Sequence, residues 1–527
     1  MLGTVGKLCC LSGLVIQLFA CDRFVANLGT AQAAKPGAAL PLKPCPGYGE
    51  TGKPPLVNGA ECGEILVKED PANPDSPNIR LNILRLPAIS SSPKPDPLLL
   101  IQGGPGGSSV DMAEAIYLAF NDLRKDRDLV FVDQRGTGKS NPLNCEQLTA
   151  AEQLLPEQEQ QQKYRNLLMS CAQKYAGHAR FYTTPYAVAD LHVVSQELGY
   201  TKVNLWGGSY GTRVALEYAR QFPQEIRSLV LDGLAPVQIA LPKYFAEDAA
   251  AALATVNQHC INSDKCRELF GNLQEKAKAV VSRLVMAEQN GQPLKVAYEH
   301  PKHQQPQTLL LSAKHFSELI FMSLYSRDLT ALLPRAIADA DKGDYRLVAA
   351  LSSLAAEQAS FTGISEGMRY TVVCNEDAHF ISPADVANSQ FFLGLNMVKE
   401  LTEICSFWPK AVLPDNYFAP ISTPLPALLL AGGQDPVTPA RWAKQVAQQL
   451  PQAKLLAAPG GNHIISMEGC LPKLIAQFIA SADSNSLDAD CVNAIVPLPA
   501  VFGANEAKPV AQPESPISSS VGGHDQD

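Results

Sequence analysis

The chain has 527 residues, 46% of them hydrophobic and 18% charged, with a formal net charge of −9. That balance excludes a disordered or fibrous chain and supplies apolar material for a large core, more than one typical domain needs. It also argues against nucleic acid as a partner, because phosphate binding wants clustered Lys and Arg, and no basic block or internal repeat occurs.

Lys7 precedes an apolar run from Leu8 to Ala20, the length of a signal-peptide core and too short to span a bilayer. Two cleavage points compete. "LFAC" at Leu18–Cys21 has the form of a lipoprotein site, which ends the signal at residue 20 and leaves a lipid anchor on Cys21 as the only membrane contact. "AQAA" at Ala31–Ala34 suits ordinary cleavage after Ala33. Both imply export to the periplasm, cell envelope or medium.

Of the 13 cysteines, Cys9, Cys10 and Cys21 lie in or beside the signal, which leaves an even number in the mature body. In an exported chain that favours disulfides. Pairing in order gives Cys45–Cys62, Cys145–Cys171, Cys260–Cys266, Cys374–Cys405 and Cys470–Cys491; the alternative leaves some of them free and buried. No C-x-x-C occurs, so no structural zinc site is expected.

Residues 34–76, rich in Pro and Gly at their start, read as an irregular arm. "NIRLNILRLPA" (Asn78–Ala88) alternates like an exposed edge strand. "DPLLLIQGG" and "RDLVFVDQRG" are short apolar runs ending in Gly-rich turns, the pattern of strands covered on both faces. A helical spacing follows over Pro185–Tyr200, then the strand and turn of "VNLWGGSYG", then "IRSLVLDG". Alternating strands and helices predict an α/β fold with a mostly parallel sheet over residues 77–235. Residues 236–420 are Ala- and Leu-rich with helical character and predict a large inserted helical cap. Two further strand-like runs place the second part of the sheet domain at 421–503, and 504–527 reads as a disordered tail.

"GGSYG" satisfies G-x-S-x-G, with a strand before it and a helix after it. Such a corner lifts the hydroxyl of Ser209 above the sheet edge. A serine needs a base, and the base needs an orienting acid. Asp435 in "LLLAGGQDPVTP" and His463 in "LLAAPGGNHIISM" follow in that chain order, each just past a strand. Asp232 is the rival acid and reads more simply as a turn residue. Of the nine histidines, His192 reads as a packing residue on a helix, and His300 and His303 lie in a polar loop. The loop "QGGPGGSS" (Gln102–Ser109) is placed to supply oxyanion donors. Gly103 and Gly104 both remain open as the first donor, since Pro105 has no N–H, and the N–H of Tyr210 is the second. "DQRGTGKS" is not a P-loop, which needs Gly where Asp133 stands.

The combination of "GGPGGS", "DQRGTGKS", "GGSYGT", "GGQDPVTP" and "GGNH" resembles the prolyl aminopeptidase and tripeptidyl aminopeptidase branch of the α/β-hydrolases, from about Cys62 to Cys491. The resemblance implies a helical cap, no cofactor or metal, and peptide substrates with a free N-terminus. It assigns Ser209 as nucleophile, Asp435 as acid and His463 as base. "GGSYGT", the many cysteines and "VVCNED" resemble the exported tripeptidyl type; the prolyl type has Trp after the serine and His where this chain has Gln102. Related enzymes hold the substrate amine with a carboxylate from the "CNED" region, which makes Glu376 the expected anchor beside Cys374; the alternative there is a solvated acidic turn. An esterase with the same triad and a non-catalytic binding protein are the other readings.

Overall fold

The computed structural model describes residues 42–45, 59–149, 151–361 and 363–503. The signal segment with Cys21, most of the arm's first half and the tail beyond 503 lie outside the described residues.

Among the described residues, nine strands form one sheet in the order β1-β2-β3-β5-β4-β6-β7-β10-β11. They are β1 (Lys43–Pro44), β2 (Glu61–Lys68), β3 (Asn78–Leu86), β4 (Leu98–Ile101), β5 (Leu129–Val132), β6 (Val203–Gly208), β7 (Ile226–Asp232), β10 (Ala427–Gly432) and β11 (Ala453–Ala458). The strands from β5 through β11 pair in parallel, and β1, β2 and β3 add antiparallel neighbours. Strands β4, β5, β6 and β10 are buried along their whole length. Their side chains divide with a period of two. Leu99, Ile101 and Leu205 face the layer of helices Thr184–Glu197 and Tyr210–Gln221; Leu98, Leu100 and Trp206 face the layer of Ser109–Ile116 and Leu471–Ser481. Burial on both faces explains why these strands are continuous apolar runs.

Two expectations need correction here. The arm is not irregular throughout, because β2 pairs with β3 over eight residues from Glu61–Arg85 to Lys68–Asn78, and the Cys45–Cys62 disulfide fastens β1 to it. For the same reason β3 is not an edge strand, since it lies between β2 and β5. Its alternation reports only that Ile79, Leu81 and Ile83 are buried while Asn78 and Arg80 are exposed, which says nothing of its lateral neighbours; further on, Leu84 and Leu86 are buried on the opposite face.

Between β7 and β10 the chain is mainly helical and builds its own apolar cluster, including Leu253, Phe316, Ile320, Leu333 and Ile337. It also contains a hairpin of β8 (Leu294–Glu299) and β9 (Pro306–Leu311), which the helical reading of this region did not include. The hairpin is largely exposed, so it lacks the apolar runs that mark the sheet strands. All ten cysteines among the described residues pair in sequence order.

The order β5-β4-β6 sends the chain to one side of β4 and then to the other. The loops leaving β4 and β6 therefore separate at their carboxyl ends and leave a crevice, the usual ligand position in a parallel sheet.

Candidate active site

The corner after β6 carries Ser209 with φ 55° and ψ −126°, a left-handed-side conformation for a residue with a side chain. Backbone in such a region costs about 1–3 kcal/mol and persists only where its surroundings enforce it. Here the Ser209 N–H donates to the Asp232 carbonyl at 2.8 Å, and the Thr212 N–H and hydroxyl both donate to the Ser209 carbonyl. The neighbouring glycines serve close approach rather than a positive φ. A Cβ on Gly211 would lie 2.2 Å from the Ile101 carbonyl oxygen, and one on Gly207 would lie 2.4 Å from that of Gly211. The helix thus starts against β4 with its first N–H groups free of intrahelical acceptors, among them that of Tyr210.

The β4 loop comes up beside this corner. A Cβ on Gly103 would sit 2.8 Å from Ser209 Cβ and 3.1 Å from the Tyr210 nitrogen. The Gly103 N–H is already engaged by Gln102 Oε1 at 2.9 Å, whereas Gly104, at φ 114°, has no such partner among the described residues. Between the two donors left open by the sequence, this geometry favours Gly104. Asp133 braces the loop from below: its Oδ1 accepts from Ser108 Oγ at 2.7 Å and Val110 N at 3.0 Å, and its Oδ2 accepts from Asn82 Nδ2 at 2.8 Å and Lys139 N. Arg135, two residues on, is fully buried in a bidentate pair with Asp190 at 2.6 and 2.7 Å. The run "DQRGTGKS" is therefore a brace for the catalytic loop. Its position directly after β5 was the available signal.

Asp435 and His463 meet on the far side of the crevice. His463 Nδ1 lies 2.9 Å from Asp435 Oδ2, and the other carboxylate oxygen accepts the N–H groups of Val437 and Thr438 at 2.9 and 2.8 Å. Thr438 Oγ1 donates to Asp435 Oδ2 at 2.6 Å and lies 3.1 Å from His463 Nδ1. With the carboxylate on Nδ1, that nitrogen carries the proton and Nε2 is left as the acceptor. Burial opposes both charges, yet the Asp435 charge and hydrogen bond hold His463 above its ordinary 6.5. Burial likewise pushes Asp435 up, but His463 and the Thr438 donors bring it below its ordinary value.

Asp232 is not the histidine's partner. Its buried carboxylate accepts from Ile465 N at 3.1 Å, Ser466 N at 2.7 Å and Ser466 Oγ at 2.6 Å. It holds the turn after His463, where Ile464 adopts φ 65°, a strained value for a β-branched residue. Burial pushes Asp232 up to about 6 against the pull of those donors. Gly208 and Gly233 both approach the Ile464 side chain, and Gly233 faces the His463 ring, so the elbow and the histidine line one crevice. Among the described residues the Ser209 hydroxyl has no hydrogen-bond partner.

The cap closes on the histidine. Asn462 Nδ2 donates to the Leu324 carbonyl at 2.7 Å, the His463 N–H donates to the Tyr325 carbonyl at 3.2 Å, and the Tyr325 ring meets the His463 ring edge-on at 5.1 Å. No local signal marks Tyr325 in the sequence; its role depends on a fold-back from a distant helix end.

Glu376 lies in a π-turn, Val373–Asp377, and is wholly buried rather than solvated. Its Oε1 accepts the Thr184 N–H at 2.8 Å. Its Oε2 accepts the hydroxyls of Thr184 and Tyr417 and a weaker bond from Arg213 at 3.3 Å. Arg213 pairs bidentately with Asp377 at 2.8 and 3.0 Å. Thr184 also bonds the Tyr210 hydroxyl at 2.7 Å, so the network runs from the cap to the residue after Ser209. His192 stacks on Phe222 and bonds Glu225, as a packing residue does, and His300 closes the β8–β9 turn by accepting the His303 N–H. Among the described residues no group of His, Cys, Asp and Glu could hold a metal ion.

Residues 96–469 match the family model of the α/β hydrolase fold, and the chain belongs to that family. Within it, the chain is similar to serine protease Hip1 of Mycobacterium tuberculosis, 25% identical over 522 residues that cover 91% of this chain and 96% of that protein. It is also similar to the tripeptidyl aminopeptidase of Streptomyces lividans, 28% identical over 227 residues, 40% of this chain and 41% of that one. The proline iminopeptidase of Xylella fastidiosa (strain Temecula1) is 28% identical over 162 residues, 31% of this chain and 40% of its own.

Proposed function

We propose that this serine hydrolase is an exported exopeptidase that releases short segments from free peptide N-termini, in the manner of a tripeptidyl or prolyl aminopeptidase. The observation that carries the reading is the Asp435–His463 pair at 2.9 Å across a crevice from a strained serine elbow. The similarity along nearly the whole chain to a named serine protease, and in part to named aminopeptidases, supports peptide as substrate. Five disulfides support an oxidising compartment. No helix among the described residues is long and apolar enough to cross a membrane, and a lipid anchor at Cys21 belongs to the proposal.

In the proposed mechanism His463 Nε2 takes the Ser209 proton as Oγ attacks the peptide carbonyl. The N–H groups of Gly104 and Tyr210 stabilise the oxyanion. The C–N bond breaks, His463 returns the proton to the departing amine, and the N-terminal segment stays on Ser209 as an ester. Water, activated by the same histidine, then hydrolyses the ester.

Glu376 is the proposed anchor for the substrate ammonium, which must displace the Thr184 or Tyr417 hydroxyl to reach it. That enclosure favours a second reading, an esterase for small acyl compounds with no need of a free amine. Chromogenic peptide amides with free and acetylated N-termini separate the two. The expected result is cleavage of the free form only, and a Glu376→Gln variant that loses about ten-fold or more of that preference. Equal cleavage of both forms by the wild type favours the esterase. An intact preference in Glu376→Gln leaves the residue a support of the Tyr210 network alone.

A further inference from the structure

Arg369 stands apart from the other charged groups around the crevice. It lies in the last turn of the short helix Glu366–Val372, whose start is fastened to the oxyanion loop: the Ser365 N–H donates to the Gly106 carbonyl at 2.9 Å. The packing leaves no slack, since a Cβ on Gly106 would lie 2.7 Å from the Ser365 carbonyl oxygen and 3.4 Å from the Arg369 nitrogen.

Arg369 is exposed as a residue; its guanidinium rests over the Tyr370 ring at 5.0 Å and pairs with no carboxylate among the described residues. The carboxylates of its own segment are taken. Glu366 accepts from Tyr164 at 2.6 Å and Gln147 at 2.7 Å, while Glu376 and Asp377 hold Arg213. Its charge reaches the Tyr325 phenol, where it opposes the upward push of burial and of Asp435; that ring touches His463. A positive charge on a helix fastened to the oxyanion loop thus acts on the ring that touches His463, and no carboxylate pairs with it directly; Glu366 bears on it only at longer range. A guanidinium in that state is suited to a carboxylate, which it can grip with two parallel hydrogen bonds.

We propose that Arg369 is a subsite for a carboxylate of the substrate. Two sources carry that chemistry: the C-terminal carboxylate of a short peptide, or an acidic side chain near the scissile bond. The inference rests on the peptidase reading above and deepens it by naming a substrate class.

The test uses one short free-amine peptide in three forms: neutral with an amidated C-terminus, neutral with a free C-terminus, and amidated with Asp as the first residue of the leaving segment. Each is given to the wild type, Arg369→Gln and Arg369→Lys. The wild type is expected to favour one carboxylate form over the neutral amide by about ten- to a hundred-fold in kcat/KM, mostly through KM. The form that gains identifies the source. Arg369→Gln is expected to lose that preference while cleaving the neutral amide as before, and Arg369→Lys to keep part of it. A wild type without preference for either carboxylate overturns the proposal, as does a preference that survives in Arg369→Gln. Should the wild type cleave none of the peptides, the peptidase reading fails. Neutral and carboxylate-bearing aryl esters, compared in the same three proteins, then decide Arg369 on its own.

Discussion

Ser209→Ala is expected to lower kcat by about 10⁴-fold or more, with little change in the thermal midpoint. The side-chain change is one oxygen at a partly exposed position, and alanine meets the same backbone demand at φ 55° that serine does. The bonds that enforce the corner are made by backbone, from Ser209 N to Asp232 and from Thr212 to the Ser209 carbonyl, and all survive the substitution. What is lost is the nucleophile alone. Residual activity reports the oxyanion donors and substrate binding, which act without it. The comparison is made by steady-state assay on a peptide amide, with calorimetry to verify folding.

Asp435→Asn is the second large effect, and it carries a pH signature. His463 must be neutral to take the serine proton, so activity falls as pH drops through its pKa. That pKa stands above 6.5 because the Asp435 carboxylate outweighs burial. Replacing the carboxylate with an amide removes the main influences that raise it and leaves burial, which lowers it, against the weaker upward pull of Asp232. The acid limb of the kcat/KM profile should therefore move to lower pH, while kcat falls by about 10³–10⁴-fold from loss of the orienting charge and tautomer. A fall in rate with an unmoved acid limb would assign that limb to another group. Asp232, pushed up to about 6 by burial, is the group to examine next.

The legible parts of the fold were those whose signal is local. Strands β4, β5, β6 and β10 announce themselves because burial on both faces forces continuous apolar runs. Ser209, Asp435 and His463, the residues the proposed mechanism uses, could be singled out because each follows the end of a strand-like run. β2 was lost because "ECGEILVK" carries a glycine and three charges, and its partner strand, not its composition, makes it a strand. The β8–β9 hairpin was hidden by a helical background and by exposed faces. At the elbow the strain falls on Ser209 itself, while Gly207 and Gly211 serve close approach, a division that the G-x-S-x-G pattern does not reveal. Asp232, Tyr325 and Asp133 act through contacts with residues far along the chain, and no spacing rule reaches them. Glu376 was singled out through the family resemblance of the "CNED" region, and its burial follows only from the way Thr184, Tyr417 and Arg213 converge on it.

In the proposed mechanism the N-terminal segment of a peptide passes through an ester on Ser209. Rapid acid quench during turnover of a slow free-amine peptide amide, followed by peptide mass spectrometry, tests it directly. The predicted result is a Ser209-containing fragment heavier by the mass of the released N-terminal residues, absent when the substrate amine is acetylated. That mass also counts the residues removed per cleavage. An active enzyme whose burst of product leaves no adduct on Ser209, or an adduct at another residue, would contradict the claim.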